Sequence, residues 1–307
     1  MKKCDVWVFH VGRGVAGAVR TPGGQWIAID LGASDNFCPV EDFFLKHIPK
    51  NENGKRKIAQ LIISHPHNDH MTSLERFHDN FYPALLTVPN DNDKQAEKQK
   101  VKWDLIQNPN DSLTNFLRDE MLPGRIPPLK ETLETTDGFF FKIYYLLPDT
   151  CENDEALSAS NYANNISILA RINYKGSIVL FAGDMMKDGM KTLIDTTSLG
   201  KHLKNKGVTF LVAPHHGLRS SFSVDLFNSM KNGKPSLNII SERPTKADSN
   251  EIVDSRYGDK DYASGHKVFI EGKAEQKRKL RTSVVGHIHL SLLEDGSRIV
   301  TTGDGVL

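Results

Sequence analysis

Short, almost uninterrupted apolar runs that stop at polar loops recur along this chain. Leu61-Ile62-Ile63, Ile178-Val179-Leu180-Phe181-Ala182 and Phe210-Leu211-Val212-Ala213 are rich in β-branched and aromatic residues, the pattern of strands covered on both faces. Val6 to Val11, Trp26 to Asp30, Ala84 to Val88, Phe139 to Pro148, Ile166 to Ala170 and Leu237 to Ser241 predict further strands, and Arg281 to Leu290 a closing hairpin. Helical spacing lies between them, over Val40 to His47, from Ser73 and from Met185. Strands and helices thus alternate in two halves, which predicts an α/β fold.

Two stretches qualify that pattern. Gly12-Arg13-Gly14-Val15-Ala16-Gly17 spells G-x-G-x-x-G, but a dinucleotide site needs a helix to open at those glycines. A turn at Pro22-Gly23-Gly24 and the run from Trp26 read as a hairpin instead, so the nucleotide reading is rejected. Residues 90–137 have a lysine-rich start and a Pro-Gly-Arg-Ile-Pro-Pro stretch from Pro123. Trp103, Leu105, Ile106, Phe116, Leu117 and Met121 give the segment a core face, so it reads as a partly helical insertion, either overhanging the site or a plain surface excursion.

The chain has 307 residues, 38% hydrophobic and 25% charged, ordinary globular material for a single domain over 1–307 that carries this insertion. A net charge of +1 gives no whole-molecule field for drawing in nucleic acid, so any basic surface must be local. Lys267 to Arg281 supplies one, with six basic residues, suited to a polyanion or to the wet face of a helix. Cys4, Cys38 and Cys151 are too scattered for a zinc ribbon or a disulfide framework. No stretch approaches the ~20 apolar residues of a membrane span, and the start lacks a signal-peptide pattern. The expectation is a cytoplasmic protein with no membrane partner.

The chemistry sits where the runs stop. After Leu61-Ile62-Ile63-Ser64 come His65-Pro66-His67-Asn68-Asp69-His70, three histidines and an aspartate in six positions, with Pro66 barring strand continuation. Alternate spacing lets His65 and His67 face one ion while Asp69 and His70 reach a second, and imidazole with carboxylate suits zinc or, with more oxygen, manganese. Asp184 ends another apolar strand, where a carboxylate needs a partner charge unless it caps the helix from Met185. Pro214-His215-His216-Gly217 repeats the device. Neighbouring side chains diverge, so one histidine is expected to bind and the other to face substrate; His215 is favoured as ligand and His216 as the acid or phosphate contact. Arg219, Ser220 and Ser221 follow in a loop suited to phosphate oxygens.

His65-x-His67-x-Asp69-His70 resembles the metal-binding signature of the metallo-β-lactamase superfamily, and nearly the whole chain can be laid along that pattern. Within it, Val11-Gly12-x-Gly14, Ile29-Asp30-Leu31-Gly32, Asn165-x-Ser167, Pro214-His215-His216-Gly217 and Thr282-x-x-x-Gly286-x-Ile288 resemble the hydrolase domain of ComEC-type competence proteins and its free-standing relatives. The resemblance implies a four-layer αββα sandwich and two divalent ions. It implies His65, His67, Asp69, His70, Asp184 and His215 as ligands, Asp184 bridging, and Asp30 as a support of the histidine loop. Asp69 and His216 are the expected catalytic groups, Asp69 orienting the attacking water. Many superfamily members have another histidine near Asn165; here an Asn165 amide oxygen or a water is expected in its stead, unless Asn164 and Asn165 only make a turn.

His287 and His289 alternate onto one strand face, substrate-side or exposed. The resemblance implies a phosphodiester substrate, nucleic acid included. Small esters, thioesters and lactones are the alternative substrates, and a non-enzymatic subunit is the alternative role.

Overall fold

The structure is a computed structural model that describes residues 2–52, 54–89, 100–106, 111–122, 132–158, 161–230, 233–242 and 252–307. Of the expected insertion, residues 90–99, 107–110 and 123–131 lie outside the described residues, the Pro123 stretch among them.

Strands follow the apolar runs. In the first half they are β1 Lys3–Val8, β2 Ala16–Arg20, β3 Trp26–Leu31, β4 Arg56–Ile62 and β5 Phe81–Thr87. The middle holds β6 Thr132–Glu134, β7 Phe139–Tyr144, β8 Leu169–Tyr174, β9 Ser177–Phe181, β10 Phe210–Val212 and β11 Leu237–Ile240. The last are β12 His266–Ile270, β13 Lys273–Lys277, β14 Lys279–Arg281, β15 Ile288–Leu293 and β16 Arg298–Thr302. Among the described residues they form a nine-stranded sheet, β13-β12-β16-β15-β1-β2-β3-β4-β5, and a seven-stranded sheet, β14-β11-β10-β9-β8-β7-β6.

Alternation along each strand explains how the sheets stack. In β1, Val6 and Val8 point into a cluster shared with Phe139 and Phe141 of β7 and Val179 and Phe181 of β9, so this core lies between the sheets. Trp7 and Phe9 point the other way, onto Val40, Phe43, Phe44, Leu74 and Phe77 of the covering helices. The second sheet likewise turns Leu169, Leu180 and Leu211 toward Met190, Leu193, Leu199 and Leu203 of the helices Lys187–Thr196 and Ser198–Lys206. Helix, sheet, sheet and helix give the expected four-layer αββα sandwich, and burial on both faces is why the strands read as continuous apolar runs. No helix among the described residues is long and apolar enough to cross a membrane.

Parallel pairing sets where the chemistry collects. β3, β4 and β5 run parallel, as do β9, β10, β11 and β14, so the loops after β4, β9 and β10 leave at sheet edges rather than at faces. That is where parallel sheets put their ligand sites.

Several local expectations change. β7 stops at Tyr144, because Pro148 opens the helix Pro148–Asn153. Asn164 and Asn165 end the short helix Tyr162–Asn165. The basic segment 267–281 is not a helix: β12 and β13 form a hairpin, turned at Glu271 (φ 49°) and Gly272 (φ 77°). Two consecutive left-handed residues are the signature of a tight hairpin turn. Lys277 is paired with Glu275 at 2.7 Å.

Candidate metal centre

Asp30, at the end of β3, organises the first half of the site. Its φ of 56° is left-handed, a region that aspartate enters more readily than most residues. Oδ1 accepts the Ser64 backbone N–H at 2.6 Å, and Oδ2 accepts from Ser64 Oγ and from His70 Nδ1, each at 2.8 Å. A carboxylate only accepts, so both Ser64 O–H and His70 Nδ1–H must donate to it. Ser64 Oγ then has a lone pair for His65 Nδ1–H, 3.1 Å away. One aspartate and one serine thereby fix two tautomers, and both histidines are left with Nε2 free to bind.

The second half converges on the same place. Asp184 follows β9, and its N–H donates to Ser167 Oγ at 3.1 Å. After β10, Pro214 leads into His215 (φ 46°) and His216 (φ 55°). His216 Nδ1 donates to the Ser241 carbonyl at 3.2 Å, and Ser241 Oγ donates to the Gly14 carbonyl at 2.8 Å. A Cβ on Gly14 would stand 2.0 Å from the Asp69 carbonyl oxygen, and one on Gly32 2.5 Å. Only glycine lets the loop after β1 and the end of β3 lie against the histidine loop.

The side chains meet as two adjacent groups. His65, His67 and Asp184 form one and Asp69, His70 and His216 the other, the ligand atoms within each lying inside 4.8 Å of one another. Asp184 touches both: Oδ2 is 3.8 Å from His65 Nε2, and Oδ1 is 3.2 Å from His70 Nε2. Nε2 of His65, His67 and His70 and Oδ1 of Asp184 are buried without a hydrogen-bond partner. Buried polar atoms are nearly always satisfied, so this convergence of bare nitrogen and carboxylate oxygen fits divalent ions that take mixed N/O ligands.

Electrostatics agree. Burial pulls His70 down, but the Asp184 and Asp30 carboxylates outweigh it and hold the imidazole well above its ordinary value. His216 behaves alike: against burial, Asp184 and Asp69 push it up to about 9. Asp184 is held well below the carboxylate range, His216, His70 and His65 outweighing its burial. His65 and His67 are pulled down by burial. The site therefore holds protons between carboxylate and imidazole that a divalent ion would displace.

His216, not His215, joins Asp69 and His70, with Nε2 3.3 Å from Asp69 Oδ2 and 3.5 Å from Asp184 Oδ2. The two left-handed residues turn the chain so that the Ser241 carbonyl draws His216 inward. His215 stays at the rim, its side chain 19% exposed and its Nε2 3.8 Å from Asp184 Oδ2.

Asn165 is also spoken for. Its Oδ1 accepts from the Met186 N–H and its Nδ2 donates to the Leu157 carbonyl, so the amide holds the fold together rather than facing an ion. Asp184 is not a helix cap, since Met186 precedes the helix that starts at Lys187. Ser221 is buried and donates to Pro214 and Leu218 carbonyls, while Arg219 and Ser220 are exposed. His289 bonds Asp5 at 2.9 Å and stacks on Trp7, and His287 accepts the His10 N–H at 3.0 Å. Neither belongs to the two metal groups. Ser64 and Ser241 are structural partners that the sequence did not announce, whereas Ser167 belongs to the Asn165-x-Ser167 motif.

No family model matches the chain, and no curated protein does. Solved structures that it resembles include the metallo-beta-lactamase fold protein YhfI from Bacillus subtilis, 12% identical, over 80% of this chain and 88% of that one at a TM-score of 0.43. An isothiocyanate hydrolase from Delia radicum gut bacteria is 11% identical over 77% and 84%, at 0.43. Igni18, a metallo hydrolase from the archaeon Ignicoccus hospitalis, is 12% identical over 77% and 82%, at 0.37.

Proposed function

We propose that this chain is a hydrolase working with two divalent ions, zinc or manganese, and that it cleaves phosphodiester bonds in a nucleic acid or a small diester. The observation that supports it most is the pair of three-residue groups meeting at Asp184. Two such ions, when bound, activate water and offset charge on the attacked group.

The chain's own residues do the rest. Burial works against the Asp69 charge, but the His216 hydrogen bond and the His70 charge keep it ionised. Its side chain is 25% exposed, so Oδ2 can accept a hydrogen bond from an attacking water and aim it. Asp184, 2% exposed, keeps the two groups at fixed spacing. Burial holds His215 below its ordinary value, so it meets a leaving oxygen as a neutral hydrogen-bond donor. Arg13 Nε lies 3.7 Å from Asp69 Oδ2 and adds positive charge at the mouth, which suits an anionic diester better than a neutral ester.

The test is hydrolysis of bis-p-nitrophenyl phosphate, single-stranded DNA and RNA by wild type and Asp69→Ala, with zinc and manganese supplied separately. Metal-dependent cleavage that the substitution abolishes supports the reading. Inactivity of metal-loaded wild type on all three, with turnover of a carboxylic ester, thioester or lactone, overturns the phosphodiester assignment. Inactivity on every substrate leaves the non-enzymatic subunit.

A further inference from the structure

The outer face of the seven-stranded sheet carries a second unusual burial. β7 and β8 pair with Lys142 opposite Arg171 and Tyr144 opposite Leu169. Alternation sends Phe141, Ile143, Ala170 and Ile172 into the core between the sheets, so Lys142, Tyr144 and Arg171 face the helix Ser198–Lys206 instead. There the Tyr144 hydroxyl meets His202 Nδ1 at 2.6 Å.

Arg171 is only 2% exposed, yet its Nη2 has no hydrogen-bond partner. Its Cζ lies 5.9 Å from the Phe140 ring, and among the described residues the titratable neighbour acting on it is the Tyr144 phenol. No carboxylate is paired with it among the described residues. The groups that bear on His202 after burial are Arg171, Lys142, Lys206 and Lys201, all of one sign. A solvated basic face is ordinary; a buried guanidinium without a counter-charge is not, because an unpaired buried ion is costly.

We propose that Arg171, His202 and Lys142 form an oxyanion-binding site that takes a phosphate group, separate from the metal centre. Arg171 supplies the planar fork that suits phosphate oxygens. The Tyr144 O–H donates a hydrogen bond to His202 Nδ1, which leaves the His202 Nε2–H as a second donor. Half-buried Lys142 stands beside them, its Nζ 5.5 Å from the Tyr144 ring, and exposed Lys201 and Lys206 draw anions toward this face.

The test follows the His202 imidazole resonances of the metal-free full chain during titration with inorganic phosphate, chloride being the control at matched ionic strength. Saturable shifts with phosphate and none with chloride are expected, unchanged in Asp184→Asn, which alters only the metal centre. Arg171→Met should weaken phosphate binding by about tenfold or more without lowering the melting midpoint in chloride, since an apolar isostere relieves the unpaired charge. Lys142→Gln, followed by the same resonances, and His202→Gln, followed by calorimetric titration because it removes the imidazole, should each weaken binding several-fold. A wild-type His202 that ignores phosphate, or equal phosphate affinity in wild type and the three variants, overturns the proposal. Two further arms identify the source. Tighter, steeply salt-dependent binding of a single-stranded oligonucleotide marks a strand contact, and affinity no better than that of phosphate marks a small free anion. Hydrolysis is measured in no arm, so the result is independent of the proposed reaction.

Discussion

The metal centre and the Arg171 face both bury polar atoms that lack partners, and they differ in sign. Around Asp184 the bare atoms are imidazole nitrogens and a carboxylate oxygen, with three acids, Asp30, Asp69 and Asp184, in the cluster or touching it. Beside Arg171, the charges that bear on His202 among the described residues are all positive. The same physical rule, that a buried polar group is retained with a partner, therefore asks for a cation at one place and an anion at the other. The charge of what is buried identifies the class of what is missing.

Removing the carboxylate that both metal groups share should have the largest effect. Asp184→Ala is expected to lose bound metal and lower activity by at least about 100-fold, read by metal analysis after gel filtration. Gly14→Ala leaves every ligand in the chain but drives a methyl into the Asp69 carbonyl at a φ of 114°. It should displace the loop, release metal and cost about 1–3 kcal/mol of stability, measured by urea unfolding. Asp30→Ala touches no ion itself. It removes the acceptor that orients His70 and Ser64, and should weaken metal binding about 10–100-fold in a competition titration with a chelating dye.

The smallest effect comes from a buried histidine that has its partner. His287 accepts the His10 N–H, and burial lowers it from 6.5 to about 4, Asp304 opposing. Between those values the unfolded chain binds a proton that the folded chain refuses, so stability falls as pH falls. The His287 contribution is at most about 1.4 kcal/mol per pH unit. Wild type should lose more stability than His287→Gln between pH 6.5 and pH 4.5 in urea melts, whereas equal losses would mean that His287 titrates normally.

Much of the centre was legible because its ligands follow strands that the apolar pattern already predicts. His65, His67, Asp69, His70 and Asp184 stand within three to eight residues of β4 and β9, where a loop must leave the sheet. The placing of His216 beside Asp69 and His70 was not legible, because it depends on two left-handed residues and on the Ser241 carbonyl, a backbone atom that no side-chain pattern reports. The role of Asn165 was open for a similar reason: its amide bonds Met186 and Leu157, partners that no local pattern reports. In the basic segment, the wet face of a helix was one of two readings, while Glu271-Gly272 between short β-prone runs was the better signal, of a hairpin. Arg171 left a trace too, a single charge inside the apolar strand Leu169 to Ile172, although only the fold reveals that no acid among the described residues is paired with it.

The central claim is that two ions sit on His65, His67 and Asp184 and on Asp69, His70 and His216, with His215 outside. Calorimetric titration of the chelator-stripped chain with zinc tests it most directly, comparing wild type, His216→Ala and His215→Ala. Two equivalents for wild type and His215→Ala, with one site lost or strongly weakened in His216→Ala, are predicted. Loss of a site in His215→Ala while His216→Ala keeps two would contradict it.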